Sequence, residues 1–214
     1  CLRHLGEGPG GLLPNPFGRG RVSGGSYLRL LNFKANHRKL IVTDHASGYR
    51  ALVTSANPHD GSSRHANVGL RFSGAAAAEI LASERAVPGV QAERIPRGGG
   101  GAGDRESGLS IQVLTEGKIR KLLLHMLHSA EQGDRLHVIM FYLAERGVIR
   151  GLKHAHRRGC HLRVLLDPNR DAFGRIKNGI PNRQAAGELV REGIAVRWGN
   201  THGEQLHTKM VLLE

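Results

Sequence analysis

The sequence predicts an α/β protein in which a mixed β-sheet is covered by helices on both faces and two similar halves follow one another. Three observations support this fold class. In the second half, strand-like apolar runs alternate with amphipathic segments of helical length. A glycine-rich stretch divides the chain almost in the middle, and a short His-x-Lys segment occurs once on each side of it.

The first half becomes regular only after an irregular start. Residues 6–26 hold many glycines and three prolines with little periodicity, so they predict an irregular segment. Beyond residue 36 the pattern predicts three strands and one helix, at residues 39–43, 51–55, 67–72 and 75–85, with a turn at residues 44–48 between the first two strands.

Residues 97–108 contain too many glycines for a helix or strand and predict a flexible connector. Residues 1–96 then form the first half and residues 109–214 the second. The two halves are offset, since about 98 residues precede the His of the second motif within its half and only 36 precede the first. We therefore expect a piece of a longer protein that begins inside one repeat and ends inside the next, so that each half is incomplete.

The second half predicts alternating strands and helices. Its helices are expected at residues 118–130, at 145–158 with Gly159 past the end, and from an Asn182 cap through residue 192 with Gly193 past the end. The first of these helices is predicted by apolar residues on one face, namely Ile119, Leu122, Leu123, Met126, Leu127 and Ala130. The strands are expected at residues 111–114, 136–143, 162–166 and 194–198.

Composition limits the classes of protein that fit. A hydrophobic content of 39% over 214 residues can build a sizeable core. The stretch holds no apolar run of membrane-spanning length and no signal peptide, so we expect a cytoplasmic protein or one peripheral to a membrane. Two cysteines favour a reducing compartment, with Cys160 as a buried apolar residue. The net charge of +13 indicates an anionic partner: nucleic acid, an acidic membrane surface or a phosphorylated small molecule.

The repeated segment is the main functional signal. His37-Arg38-Lys39 is followed by four mostly apolar residues and Asp44, and His207-Thr208-Lys209 is followed in the same way by Glu214. On a strand, residues two apart point to the same face, so each His lies beside its Lys. Their odd offset turns Asp44 and Glu214 to the opposite face, which favours a role in folding over one in chemistry.

Imidazole and ammonium groups suit chemistry on a phosphate. An imidazole can attack phosphorus or transfer a proton, and an ammonium group neutralises phosphate oxygens. In-line cleavage of a diester needs a nucleophile and, on the opposite side, a general acid, which two histidines can provide. Ser55 and Asn57, also two residues apart, could donate hydrogen bonds to the same phosphate.

Here the sequence resembles the phospholipase D superfamily, and within it the bacterial cardiolipin-synthase-like members. The resemblance covers residues 28–73 and 109–214, through the two motifs, Ser55-x-Asn57, residues 140–143 and the run Leu165-Leu166-Asp167-Pro168-Asn169. It implies a covalent phosphohistidine on one His, a second His that protonates the departing alcohol, and no metal or other cofactor. We take His37 as the nucleophile and His207 as the general acid, although the sequence is equally consistent with the reverse order.

The sequence also departs from the family pattern. The second motif closes with Glu214 in place of Asp, and a Glu that the family often carries after the first motif is missing from Asn67-Val68-Gly69. Whatever orients His37 must then lie elsewhere, and Asp167, at the carboxyl end of a predicted strand, is a candidate by topology. Glu204 either supports the second motif or belongs to a loop. His154, His156 and His161 are expected at a solvated helix end and not in a metal site.

Together these features predict a phospholipid phosphodiesterase or phosphatidyltransferase. The expected substrate is a phospholipid at an anionic membrane surface, and the acceptor is either water or a lipid hydroxyl. The alternative enzyme is a nuclease on the same scaffold, for which the basic charge is weak support. A third reading, from a different class, is an inactive module that binds anionic lipid or nucleic acid.

Overall fold

The structure is a computed structural model that describes residues 13–14, 21–22, 37–45, 48–85, 109–169, 171–172, 175–176, 178–200 and 204–214. It consists of two compact units, residues 1–38 and residues 39–214. In the first unit, β1 (Leu13–Pro14) pairs antiparallel with β2 (Arg21–Val22). These two short strands fall within the segment predicted to be irregular, whose remaining residues, like the predicted connector at 97–108, lie outside the described residues.

The second unit contains a small antiparallel sheet. Its strands β3 (Leu40–His45), β4 (Gly48–Thr54) and β5 (Gly69–Ser73) pair in the order β3-β4-β5. A short helix α1 (Asp60–Ser63) connects β4 to β5, and α2 (Ala75–Arg85) packs against the sheet. The burial of Ala51, Ala77 and Ile80 marks this contact. The three strands and the helix predicted here are therefore found, with strand ends shifted by one to three residues.

A larger mixed sheet follows. Strands β6 (Arg135–Met140), β7 (His161–Leu166) and β10 (Ala195–Trp198) are parallel, and β11 (Lys209–Leu213) runs antiparallel to β6, in the order β10-β7-β6-β11. A short antiparallel hairpin follows β7, and each of its strands, β8 (Asp171–Ala172) and β9 (Arg175–Ile176), has two residues. The helices are α3 (Gly117–Ser129), α4 (Arg146–Arg157) and α5 (Asn182–Arg191). The predicted mixed α/β class is confirmed.

The core lies between this sheet and its helices. Alternate strand residues point into it together with residues of α3, α4 and α5, and the set comprises Leu136, Val138, Leu162, Val164, Leu166, Leu127, Ile149, Leu152 and Leu189. The chain steps from β6 to β7 to β10 in one direction, so right-handed crossovers place α4 and α5 on the same face. In the described part of the chain, α3 and α4 pack against each other and share this core with α5. Cys160 is buried, as predicted.

Two local predictions need correction. Residues 111–114 form no strand: Leu109 is 80% exposed and Ile111 44%. An apolar segment forms a strand only where a neighbouring strand offers hydrogen bonds. The position beside β6 is occupied by β11, so it is not open to residues 111–114. Asn182 does not cap α5 with its side chain, because Pro181 occupies the cap position. The Asn182 side chain is instead fully buried and bonds three backbone groups of neighbouring loops.

The predicted ends of α4 and α5 are confirmed to within a residue. The carboxylate of Glu145 accepts a hydrogen bond from the backbone N of Val148 at 2.6 Å, which caps α4 and lowers the pKa of Glu145. Gly159 and Gly193 follow α4 and α5 with φ of 95° and 87°, the left-handed conformation that ends helices. In the described residues, every helix is too short or too polar to cross a membrane.

Candidate active site

The second motif lies at the carboxyl ends of the parallel strands. Because β11 is antiparallel to β6, its first residue, Lys209, pairs with Met140, the last residue of β6. The loops that follow β6 and β7 therefore reach the segment that carries His207. In open α/β sheets this edge is where ligands bind.

Backbone hydrogen bonds join this edge to the small sheet. Ala66, in the loop before β5, donates its N–H to Gln205 O at 2.9 Å and accepts the N–H of His207 at 3.0 Å. Its carbonyl also accepts the hydroxyl of Thr208 at 3.0 Å. Thr208, the middle residue of the motif, is thus used for anchoring. The second motif is held by residues from both sides of the predicted connector.

His207 is buried, with 7% of its surface exposed. Its Nδ1 lies 2.8 Å from the backbone oxygen of Ser55. Because a carbonyl oxygen can only accept, Nδ1 must carry the proton that it donates. In the neutral ring Nε2 then holds an unshared electron pair. The edge of the Phe141 ring packs on the imidazole, with centroids 4.9 Å apart.

Burial and nearby cations keep His207 uncharged. Loss of water lowers its pKa from the usual value, and the charge of Lys209 lowers it further, with smaller effects from His65 and Lys39. The hydrogen bond to Ser55 acts in the opposite direction. The net effect is a lowered pKa, so the His207 imidazole is neutral near physiological pH. The Ser55 carbonyl can stabilise a positive charge that forms on the ring.

Lys209 lies directly beside this imidazole. Its Nζ donates to the backbone oxygen of His207 at 2.8 Å and lies 5.1 Å from the centroid of the Phe141 ring. Burial lowers the pKa of Lys209 to about 8, and the charge of Lys39 contributes to the shift. The ammonium group is therefore charged at neutral pH but loses its proton far more readily than an ordinary lysine.

Lys39 connects the first motif to this site. Its own pKa is lowered by burial, and its charge lowers the pKa of both His207 and Lys209. The structure thus brings the lysine of the first motif into one cluster with the histidine and lysine of the second. His37 is exposed and belongs to the first unit, whereas this cluster is part of the second.

The predicted phosphate-binding residues organise the loop beside His207. The hydroxyl of Ser55 donates to Asn67 Oδ1 at 3.1 Å and accepts the N–H of Val68 at 2.9 Å. Asn67 in turn donates to the backbone oxygens of Ser62 and His65. The backbone N of Asn57 donates to the Ser62 hydroxyl at 2.8 Å. A phosphate that binds the Ser55 hydroxyl would have to replace Asn67 as its acceptor.

Asp167 is a buried carboxylate at this edge, with 2% of its surface exposed. Its Oδ2 accepts the backbone N–H of Leu206 at 2.6 Å, and its Oδ1 accepts the N–H and the side-chain amide of Asn169. The sequence suggested Asp167 as a candidate for orienting His37. The structure shows it fixing the residue immediately before His207.

The remaining candidates lie at the margins. Asp44 is exposed near the hairpin end of β3, and the Oε2 of Glu214 is 3.9 Å from the Nε2 of His137, at the opposite end of β11 from Lys209. Glu204 is partly buried and precedes Gln205. Among the described residues, no three His, Cys, Asp or Glu side chains are arranged to hold a metal ion. His154 and His156 lie in the last turn of α4.

Sequence reasoning missed two side chains of this cluster. Phe141 packs on both His207 and Lys209, and His65 has its ring centroid 6.2 Å from that of His207. Phe141 lies inside the strand predicted at residues 136–143 and directly follows β6 in the structure, at the edge where sites form. For His65 the sequence carries no comparable signal, since its role depends on a contact with a residue 140 positions away.

One protein-family model matches part of the chain. Residues 123–214, which include the second motif and the whole larger sheet, match a phospholipase-D-like domain family. This match over part of the chain supports the resemblance to the phospholipase D superfamily that the motifs predicted. The matching family is described as cardiolipin synthase, PLD-like domain.

Among solved structures, one match is the phospholipase D family member Nuc from Salmonella typhimurium. It has 21% sequence identity and a TM-score of 0.34, and the match covers 46% of this chain. The chain spans 59% of the length of that structure. No curated protein matches the chain.

Proposed function

We propose that the chain contributes a phosphodiesterase or phosphatidyltransferase site that acts on phospholipid through a phosphohistidine. One observation carries this proposal: the His207 imidazole, whose Nδ1 lies 2.8 Å from Ser55 O, and the Lys209 ammonium group, which donates to His207 O at 2.8 Å, meet at this edge of the sheet. The charge of Lys39 from the first motif lowers the pKa of both groups. Two cations and a neutral imidazole at a ligand-binding edge suit a phosphodiester, whose charge the lysines would neutralise.

The surroundings of His207 favour the nucleophilic role for this residue. A nucleophile needs an unshared pair on a neutral ring, and the bond from Nδ1 to Ser55 O leaves that pair on Nε2. When Nε2 bonds to phosphorus the ring becomes positive, and the Ser55 carbonyl can stabilise that charge. We therefore propose the reverse of the order taken from the sequence, with His207 as nucleophile.

The proposed reaction proceeds in two balanced steps. Nε2 of His207 forms a bond to phosphorus while the bond to the leaving oxygen breaks, and that oxygen takes a proton from a general acid. The motif repeat assigns this acid to His37. In the second step, water or a lipid alcohol gives a proton to the same group and attacks phosphorus, and the bond from phosphorus to Nε2 breaks.

Phospholipid is the proposed substrate because the matching family is described as cardiolipin synthase. An anionic membrane surface is the proposed partner, in keeping with the net charge of +13. The same charge favours the second candidate, a nuclease, since a basic surface also attracts nucleic acid.

A two-substrate assay tests the proposal. The full-length protein is incubated with labelled phosphatidylglycerol or with a labelled DNA duplex, and both product and acid-labile label on the protein are measured. We expect lipid product and label on wild type, and neither on His207→Ala. His125→Ala, at an exposed position on α3, is the matched control and should behave as wild type. Product from DNA alone would refute the lipid substrate, and turnover by His207→Ala would refute the nucleophile.

A further inference from the structure

We propose that His65 is a positioning residue for His207, because its neutral imidazole fixes the backbone that carries the second motif. The inference rests on the proposed function only where it treats His207 as the reacting group. His65 lies in the loop between α1 and β5, far from either motif in sequence. Its side chain nevertheless reaches the segment that leads into the second motif.

The contact is a side-chain acceptor for a backbone donor. Nδ1 of His65 accepts the N–H of Gln205 at 3.0 Å, two residues before His207. The adjacent Ala66 donates to Gln205 O and accepts from His207 N. Residues 65–66 therefore bind three backbone groups of residues 205–207, and one of the three bonds depends on the identity of a side chain. Only that bond can be removed by substitution without changing the backbone path.

The bond requires a defined protonation state. A nitrogen that accepts a hydrogen bond carries no proton, so the proton of neutral His65 is on Nε2. His207 has the other tautomer, because its Nδ1 donates to Ser55 O. If Nδ1 of His65 gained a proton, its N–H would face the backbone N–H of Gln205. Two donors would then oppose each other, and the hydrogen bond would be lost. The contact therefore exists only while Nδ1 of His65 carries no proton.

His65 is also close enough to influence the charge of His207. The two ring centroids are 6.2 Å apart and the rings are tilted by 41°. A charge on His65 lowers the pKa of His207, in the same direction as those of Lys209 and Lys39. Neutral His65 thus acts on His207 through the backbone, and a charge on His65 would act on it through space.

An alternative is that His65 merely fills space in its loop, and two substitutions separate these roles. His65→Ala removes the acceptor. His65→Asn can keep it, since the amide oxygen of Asn occupies nearly the position of Nδ1. If His65 acts as a hydrogen-bond acceptor, protection of the Gln205 amide is lost in His65→Ala and recovered in His65→Asn. If His65 only fills space, protection in His65→Asn should lie between those of wild type and His65→Ala.

The test uses two measurements that need no substrate. Hydrogen exchange at the amide of Gln205 should be about tenfold faster in His65→Ala, the factor that corresponds to one lost hydrogen bond, and near the wild-type rate in His65→Asn. The NMR titration midpoint of His207 should move upward in His65→Ala. His125→Ala is again the control and should change neither. If His65→Ala does not fold, the exchange rate at the Gln205 amide in His65→Asn decides: a rate near that of wild type supports the proposal, and a rate about tenfold faster overturns it.

Turnover gives the third readout. His65→Ala should lower kcat more than it raises KM for the phosphodiester, and His65→Asn should restore most of kcat. Unchanged exchange at Gln205 in His65→Ala, or exchange in His65→Asn as fast as in His65→Ala, would overturn the proposal. Since exchange and titration are independent of substrate, a failed activity assay would count against the proposed function and leave this inference standing.

Discussion

Nδ1 of His207 lies 2.8 Å from the backbone oxygen of Ser55, although 152 positions separate the two residues in the chain. This bond fixes the tautomer of the imidazole with a peptide carbonyl and not with a carboxylate. The sequence lacks a Glu after the first motif that could orient an imidazole. For the second motif, the imidazole of His207 is oriented by the backbone carbonyl of Ser55, at the end of β4.

The pH dependence of turnover should be bell-shaped and shifted from the usual limits. His207 must be neutral to attack, and its lowered pKa places the acidic limb below the ordinary histidine value. On the alkaline side turnover needs both the protonated general acid, His37, and a charged Lys209 that binds phosphate, and loss of the Lys209 charge should contribute a fall near its pKa of about 8. The measurement is kcat/KM against pH. In Lys209→Arg the guanidinium keeps its charge, and an alkaline limb that persists unchanged there would refute this assignment.

Lys209 should reduce stability while serving function. Its pKa is about 8 in the folded protein, against 10.5 for an ordinary lysine, so the unfolded chain binds the proton more tightly and the charged lysine opposes folding at neutral pH. As pH rises from 8 toward 10.5 this penalty disappears. We expect Lys209→Met to melt at a higher temperature than wild type at about pH 7 and to lose that advantage near pH 10.

The control for this prediction is Lys121→Met, at an exposed position on α3, which should leave the melting temperature unchanged at both pH values. A Lys209→Met variant that melts below wild type at neutral pH would show that the contacts of the ammonium group with His207 O and Phe141 outweigh its loss of water.

Removing the carboxylate charge of Asp167 should destabilise the loop before His207. In Asp167→Asn an amide donor replaces one acceptor, so one buried N–H, of Leu206 or of Asn169, loses its partner. We expect a loss of about 1–3 kcal/mol in the free energy of unfolding, measured by urea denaturation. Asp134→Asn, whose carboxylate accepts one exposed backbone bond, is the matched control and should lose less. Equal losses in the two variants would contradict this role for Asp167.

Asn182 should be among the most sensitive positions in α5. Its side chain accepts the N–H of Leu143 at 2.8 Å and donates to Phe141 O and Asp167 O, so it joins the loops after β6 and β7. Asn182→Ala leaves these buried groups without partners, and we expect a loss of roughly 2–4 kcal/mol in the free energy of unfolding. Gln184→Ala, on the exposed side of the same helix, should change it by less than about 0.5 kcal/mol. A small effect at Asn182 would mean that the loops rearrange around the gap.

The sequence by itself determined most of the second unit's elements and indicated the resemblance to the phospholipase D superfamily. Periodicity located α2, α3 and α4 to within one residue at most ends, because apolar residues at helical spacing must face a core and glycine marks the turn that follows. The repeated His-x-Lys segment predicted chemistry on a phosphate, since few combinations of side chains suit that group. These are local signals that a few neighbouring residues contain.

Only the tertiary structure decided which groups meet. That Ser55 O holds His207, that Asp167 holds Leu206 and that His65 holds Gln205 depends on loops far apart in the chain, and such pairings leave no periodic trace. The lowered pKa values of His207 and Lys209 likewise arise from burial and from cations gathered from separate segments. The strand expected at residues 111–114 failed for the same physical reason, because a strand exists only where a distant segment offers its hydrogen bonds.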